Sequence, residues 1–147
     1  MTPATLAAAL LIGVSPATAP EVGPERIYTV QAEVPDLTGT EWQVVELRGQ
    51  PVEVAPLPEI AFFEDDAFAA WAGCNRFSGG YSRDGATITV PETVAATMMA
   101  CPPPLDTLER EMIEAMISAK GLAFEGTSLV LTDASGAEVL RLIPKVK

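Results

Sequence analysis

From residue 40 onward, short runs in which apolar and polar residues alternate are separated by residues typical of turns, which is the pattern of β-strands. Asp65-Asp66 joins one pair of runs, and Asp84-Gly85 carries the signal of a second tight turn. Glu53–Pro58, with two prolines, is expected to be loop or edge. The predicted strands are Thr40–Leu47, Glu59–Glu64, Ala67–Ala72, Thr87–Val90, Val94–Met98, Leu122–Glu125, Ser128–Thr132 and Glu138–Ile143.

One segment has helical rather than strand periodicity. Leu105–Lys120 is predicted to be a helix, with Asp106 capping its start and Glu109 completing a capping-box-like pattern. The apolar side that should face the core is formed by Leu105, Leu108, Met112, Ala115, Met116 and Ala119. Glu109, Glu111 and Glu114 are interpreted as the solvated face, and Gly121 as the stop signal.

Many short strands interrupted by a single helix predict a mainly β, or α+β, fold in the form of a small antiparallel β-barrel-like domain over residues 37–147. The helix should lie across one barrel end or over one sheet face. A barrel of this size is normally filled by its inward side chains. Those expected to fill it include Phe62, Trp71, Leu129 and Leu142, which would leave no large cavity.

The amino terminus has the pattern of a signal peptide over residues 1–19. The apolar run Leu6–Val14 is too short to span a membrane and is followed by Ala17-Thr18-Ala19, a cleavage-site pattern. We therefore predict a mature protein that is periplasmic or secreted and has no transmembrane segment. The alternative is an Ala-rich tail. Residues 20–36, rich in proline, are predicted to be a flexible tether that includes a short strand at Ile27–Val34.

Charge and composition exclude several classes of function. The net charge of −11 argues against nucleic acid and anionic membranes, which attract clustered Lys and Arg. The chain has no histidine, which removes Ser-His-Asp and Cys-His catalysis and His-ligated zinc. We therefore expect no enzyme, no catalytic residue, no cofactor and no metal site.

The densest group of special residues is Gly73–Tyr81, which is interpreted as a bend that organises the chain. Gly73, Asn75, Arg76 and Phe77 in this run are candidates for a structural or binding bend, together with Thr97 farther along. The structural interpretation is favoured because asparagine in a bend usually satisfies backbone groups. The alternative is that Asn75 and Arg76 bind a ligand or an anion.

The chain has two cysteines, Cys74 and Cys101, and in an exported protein such a pair favours a disulfide. The alternative is two buried thiols that act as small apolar groups, as expected in a reducing cytosol. The Cys-x-x-Cys spacing typical of redox enzymes is missing.

Two motifs, Gly73–Gly79 and Thr97–Pro102, together resemble the META/HslJ domain family, which includes the heat-shock protein HslJ. Gly39–Trp42, Pro58–Phe62 and Ser128–Thr132 also fit this resemblance, which covers most of the chain. It implies a small β-rich barrel with one helix, usually exported and often a lipoprotein. It also implies links to heat shock and novobiocin resistance, but no established catalytic residues.

The leading functional hypothesis is a non-enzymatic cell-envelope protein that acts in heat or antibiotic stress by binding or scaffolding. Its partner would be an unknown envelope protein or a small ligand, and the protein itself a monomer. The alternative is a lipocalin-like carrier of a small apolar ligand. A third possibility is an enzyme that uses carboxylates or a redox-active cysteine pair.

Overall fold

The computed structural model describes Gly13 and residues 35–146. The predicted signal peptide, almost all of the predicted tether and the strand at Ile27–Val34 lie outside the described residues, so they stay predictions. Within the described residues, no helix is long and apolar enough to cross a membrane.

The described part contains eleven strands and one helix, in an order close to that expected from the hydrophobic pattern. They are β1 (Glu41–Leu47), β2 (Gln50–Pro51), β3 (Glu59–Phe63), β4 (Ala67–Trp71), β5 (Arg76–Gly80), β6 (Ser82–Asp84), β7 (Thr87–Thr89), β8 (Ala95–Ala96), α1 (Leu105–Ser118), β9 (Gly121–Glu125), β10 (Ser128–Thr132) and β11 (Glu138–Pro144).

All of the strands belong to one antiparallel sheet. The order of hydrogen-bonded neighbours is β6-β7-β9-β10-β11-β1-β3-β4-β5-β8, and β2 pairs with β1 outside this path. Only Tyr81 separates β5 from β6, so one end of the path is joined by continuous chain to the strand next to its other end. The sheet therefore curls into a half-barrel, and the prediction of a small, mainly β, barrel-like domain with one helix is confirmed.

Alternation along the strands places the large apolar side chains inside the half-barrel. The largest fully buried side chains are Phe62, Phe68, Phe77, Leu37, Ile60, Ile88, Met112, Met116, Leu129, Leu131, Leu140 and Leu142. Trp71 is an exception to the expected inward set. Because Phe62 of β3 pairs with Phe68 of β4, it is Phe68 that faces the core, and Trp71 lies half-buried on the outer face.

The single helix packs against β11 and β1 through Met112, Ala115 and Met116. The predicted capping box is wrong. Pro104 occupies the cap position without a side-chain hydrogen bond, and the Asp106 carboxylate accepts from the adjacent Thr107 N–H instead. The helix ends at Ser118, two residues before the predicted end, because the backbone is already extended at Ala119.

The run Gly73–Tyr81 is not a bend along its whole length. Arg76–Gly80 is a regular strand, paired with β4 over all five of its residues. Of the two glycines in this strand, Gly79 is explained by packing. A Cβ on Gly79 would lie 3.0 Å from the Phe68 ring, so the missing side chain gives that ring room. Gly73, by contrast, has a φ of 106°, a conformation that favours glycine.

Candidate functional site

A disulfide ties the segment before β5 to the segment before α1. It joins Cys74 to Cys101, with the two Cα atoms 6.0 Å apart, inside the range that disulfides require. Gly73 lies against the start of the helix, where an added Cβ would be 2.8 Å from Leu105 Cδ2. The cross-link and this close contact together fix the entry of the chain into β5.

Beside the disulfide, the Asn75 side chain is 4% exposed and is the one buried polar residue of the described chain. Its Oδ1 accepts hydrogen bonds from Thr97 Oγ1 and from the Met99 N–H, each at 2.8 Å. Its Nδ2 donates to Glu109 Oε1 at 2.9 Å and to the Met99 carbonyl at 3.1 Å. A single amide, just before β5, therefore binds both the loop after β8 and the helix.

Glu109 completes this cluster, which we call the junction: the Cys74–Cys101 disulfide, Asn75, Thr97, Met99 and Glu109. Its Oε2 accepts a second hydrogen bond from the Asn75 backbone N–H at 3.0 Å. The interpretation of Glu109 as part of the solvated helix face is therefore wrong. The sequence held a signal for this position, because Glu109 comes four residues after Leu105 and three before Met112, on the same side of the helix as the apolar stripe.

Three potential metal ligands meet at the junction. Within residues 35–146, no other cluster of three such side chains occurs. Sulfur atoms of Cys74 and Cys101 and a carboxylate oxygen of Glu109 lie within 4.8 Å of one another. Metal binding by cysteine requires a thiolate. Both sulfurs are consumed by the disulfide, and the carboxylate is held by Asn75, so we interpret the junction as a structural element.

The remaining candidates from the Gly73–Tyr81 run point in opposite directions. Phe77 faces inward and is 2% exposed. Arg76 faces outward, although its backbone N–H is bound by Thr97 Oγ1 at 3.0 Å. The structure therefore brings Asn75 and Thr97 together at the junction and places the Arg76 side chain on a different surface.

That surface is an open groove of about 630 Å³ on the outer face of β3, β4, β5 and β8, which we call the outer groove. Small side chains in register across the four strands form its floor: Ala61, Ala69, Ser78 and Ala95. Phe63 lies on one side of this row, and Trp71 and Arg76 lie on the other side. The arrangement follows from the alternation of strands, which places every second residue on this face.

The charges of the outer groove are unevenly paired. Lys145 Nζ lies 2.5 Å from Glu59 Oε1, and this ion pair raises the pKa of Lys145. No carboxylate among the described residues lies within salt-bridge distance of the Arg76 guanidinium, which is solvent-exposed. Glu59 is therefore neutralised by its partner, whereas Arg76 offers five free N–H donors.

A second open groove, also of about 630 Å³, lies between the β1–β2 turn and the first turns of α1. Leu47, Val52 and Leu108 give it an apolar lining. Its rim carries charges of both signs, and one of them, Arg48, already lies 4.0 Å from Glu114. With Glu53 and Glu111 in its lining and Arg48 paired, this groove is net acidic and offers no free cation to a ligand.

The fold and the junction define a class of protein: a small curled antiparallel half-barrel with one helix, in which a disulfide joins the segment before β5 to the segment before that helix. Residues 35–145 match the family model described as the META domain. The chain belongs to the META domain family. A particular relationship to HslJ within that family stays a prediction.

Solved structures show the same fold. The chain resembles a protein solved by NMR, with 26% identity, a TM-score of 0.58, and coverage of 73% of this chain and 90% of that one. A protein from Burkholderia xenovorans, also solved by NMR, has 19% identity, a TM-score of 0.58 and coverage of 79% and 94%. A DUF4847 family protein from Bacteroides vulgatus has 15% identity, a TM-score of 0.55 and coverage of 73% and 93%. No curated protein matches the chain.

Proposed function

We propose that this chain is a non-enzymatic, exported META-domain protein that supports heat or antibiotic stress tolerance by binding or scaffolding. The observation that carries the binding role is the outer groove, where Trp71 and an unpaired Arg76 stand over a floor of small side chains. Tryptophan and arginine side chains at a surface are typical of recognition sites. The stress role rests on the resemblance of the sequence motifs to the family.

Export is supported by two independent features. The disulfide between Cys74 and Cys101 is of the kind that forms and persists in oxidising compartments. The apolar run Leu6–Val14 precedes the cleavage pattern Ala17-Thr18-Ala19. Either feature alone would be weak, but both point to the cell envelope or the medium.

A binding role is favoured over an enzymatic one because the junction, which contains the densest set of polar groups, uses them on itself. The Asn75 amide and the Glu109 carboxylate hydrogen-bond each other, and Thr97 binds Asn75. Groups held in this way stabilise the fold rather than act on a substrate. A lipocalin-like carrier gains no support, since Phe62, Phe68 and other large side chains fill the interior that would hold the ligand.

The experiment compares growth of a deletion strain, under heat and antibiotic challenge, when complemented with wild-type or variant chains. Ala69→Leu adds bulk to the floor of the outer groove, and Ala123→Leu adds the same bulk to an exposed position on β9. We expect wild type and Ala123→Leu to restore tolerance and Ala69→Leu to fail. Equal rescue by both variants would contradict a role for this groove.

Location is tested in the same strain. Amino-terminal sequencing of the native protein from the envelope fraction or medium should give a start shortly after Ala19. An intact Met1 in the cytosolic fraction would overturn the export part of the proposal.

A further inference from the structure

We propose that the outer groove is a binding site for a small planar carboxylate with an aromatic body, whose carboxylate is held by Arg76 and whose ring lies beside Trp71 on the small-residue floor. This inference rests on the proposed binding function and specifies its ligand class.

The shape suits a flat molecule. The floor residues Ala61, Ala69, Ser78 and Ala95 lie on adjacent strands, in register. Since neighbouring strands are about 4.8 Å apart, the row is about 14 Å long. Phe63 and Trp71 lie two residues to either side of the row, so their side chains flank a shallow slot. A volume of about 630 Å³ is within the range of sites for small molecules.

The charge selects an anion. The chain as a whole carries a net charge of −11, so a free cation is a local exception on its surface. Glu59, the nearest acidic residue in the groove, is occupied by Lys145. One guanidinium can bind one carboxylate through two parallel hydrogen bonds. A phosphate would call for more cations, and the groove lining offers Arg76 alone.

Trp71 lies where it can contact the aromatic body of a ligand whose carboxylate is bound by Arg76. Trp71 and Arg76 are directly opposed in the β4–β5 ladder, so their side chains project from the same face as neighbours. A carboxylate bound to Arg76 therefore places the attached ring against Trp71 and over Ala69. Aromatic pairs in offset or edge-to-face contact are favourable beyond the area that they bury.

The backbone of the groove argues against an extended peptide as the ligand. Within the sheet, β4 is paired on both sides, with β3 and β5, and β5 is paired with β4 and β8. Their N–H and C=O groups are already used in these ladders. A peptide lying across this face, away from the unpaired edge of β8, would have no main-chain hydrogen bonds to replace those that it loses in water.

The test titrates 2-naphthoate into the ¹⁵N-labelled mature protein and follows the NMR signals of the groove. We expect saturable shifts of the Trp71 indole N–H and of the Ser78 and Ala95 amides. The neutral isostere 2-naphthamide should bind about tenfold more weakly, since it lacks the charge-assisted pair with Arg76. Arg76→Gln should weaken naphthoate binding by a similar factor.

Two matched variants control for charge and for bulk. Arg110→Gln removes the same charge from an exposed position on α1 and should leave the affinity unchanged. Ala69→Leu should abolish the shifts, whereas Ala123→Leu should keep them. The proposal is overturned if naphthoate leaves the groove signals unmoved. It is also overturned if 2-naphthamide binds the wild-type protein, or naphthoate binds the Arg76→Gln protein, as tightly as naphthoate binds the wild-type protein.

Failure of this inference is separable from failure of the proposed function. If Ala69→Leu abolishes stress tolerance in cells while naphthoate does not bind, the ligand class is wrong and the binding function stands. If naphthoate binds with the expected dependence on Arg76 while Ala69→Leu restores tolerance fully, the site is supported and its link to stress tolerance is wrong.

Discussion

The buried amide of Asn75 offers a test of how the junction is held together. Asn75→Ala removes both the acceptor used by Thr97 and the donor used by Glu109. Asn75→Asp keeps the shape and the acceptor but replaces the donor by a carboxylate oxygen, 2.9 Å from Glu109 Oε1 in the native geometry. The two variants therefore separate the loss of hydrogen bonds from the introduction of a like charge.

The magnitude for Asn75→Ala follows from its partners. A hydrogen bond to a charged group contributes about 2 kcal/mol, which applies to the bond with Glu109, and the neutral bond with Thr97 contributes about 1 kcal/mol. The hydrogen bonds to the Met99 backbone are part-buried and would add to this minimum. We expect a loss of at least about 3 kcal/mol, or roughly a 10 °C decrease in Tm for a domain of this size.

For Asn75→Asp the loss should depend on pH. At pH 7 the two carboxylates repel each other across a partly buried contact, so the loss should equal or exceed that of Asn75→Ala. A proton shared by the pair relieves this repulsion, and the folded state then binds more protons than the unfolded chain. Stability that depends on such a proton is lost as pH rises and regained as pH falls. The deficit of the variant relative to wild type should therefore shrink when the pH is lowered from 7 to 4.

The assay is urea and thermal unfolding of both variants at pH 7 and pH 4 with the disulfide intact. Gln50→Glu, which makes the same amide-to-carboxylate change at an exposed position, is the control and should change little at either pH. A loss below about 1 kcal/mol in Asn75→Ala, or a loss in Asn75→Asp that does not shrink at pH 4, would refute the reasoning.

Three further predictions concern other parts of the chain. Reduction, or Cys101→Ser, should lower the free energy of unfolding by about 3–4 kcal/mol without abolishing the fold, because the cysteines are 27 residues apart; urea unfolding with and without reductant measures this. Asp133→Ala should destabilise more at pH 7 than at pH 2, since hydrogen bonds from Ser135 lower the Asp133 pKa and their stabilisation is lost as pH falls; unfolding curves at both pH values check it. Gly73→Ala should lower the Tm more than Gly136→Ala, because both have positive φ but only Gly73 is crowded.

Local turn chemistry explains why most of the strand order was predictable. Asp65 and Asp66 both adopt positive φ, as the β3–β4 turn requires, and Gly136 does so before β11. β5 is harder to predict, because Gly79 and Gly80 are poor strand formers and indicate a turn when seen in sequence. The reason for Gly79 is the adjacent Phe68 ring, a contact that exists only once β4 and β5 are paired.

The junction illustrates a different limit. The motifs indicate that Asn75 and Thr97 are special residues, but the helix partner of Asn75, Glu109, is 34 residues away along the chain. A glutamate near a helix start has an adequate local explanation as part of a capping box or of the solvated face. This local explanation is sufficient in the sequence, so nothing there indicates the long-range hydrogen bond to Asn75. The position of Glu109 beside the apolar stripe of the helix does not tell which way its carboxylate points.

The outer groove depends on a choice of register that the sequence leaves ambiguous. In β4, Phe68 and Trp71 fall on opposite faces, so an aromatic residue supports either orientation. The pairing of Phe68 with Phe62 decides the matter, because two facing phenylalanines bury more apolar surface than Trp71 beside the charged Glu59. Once Phe68 is inside, Trp71 and Arg76 must share the outer face. The feature that fills the core is thus the same one that creates the candidate binding surface.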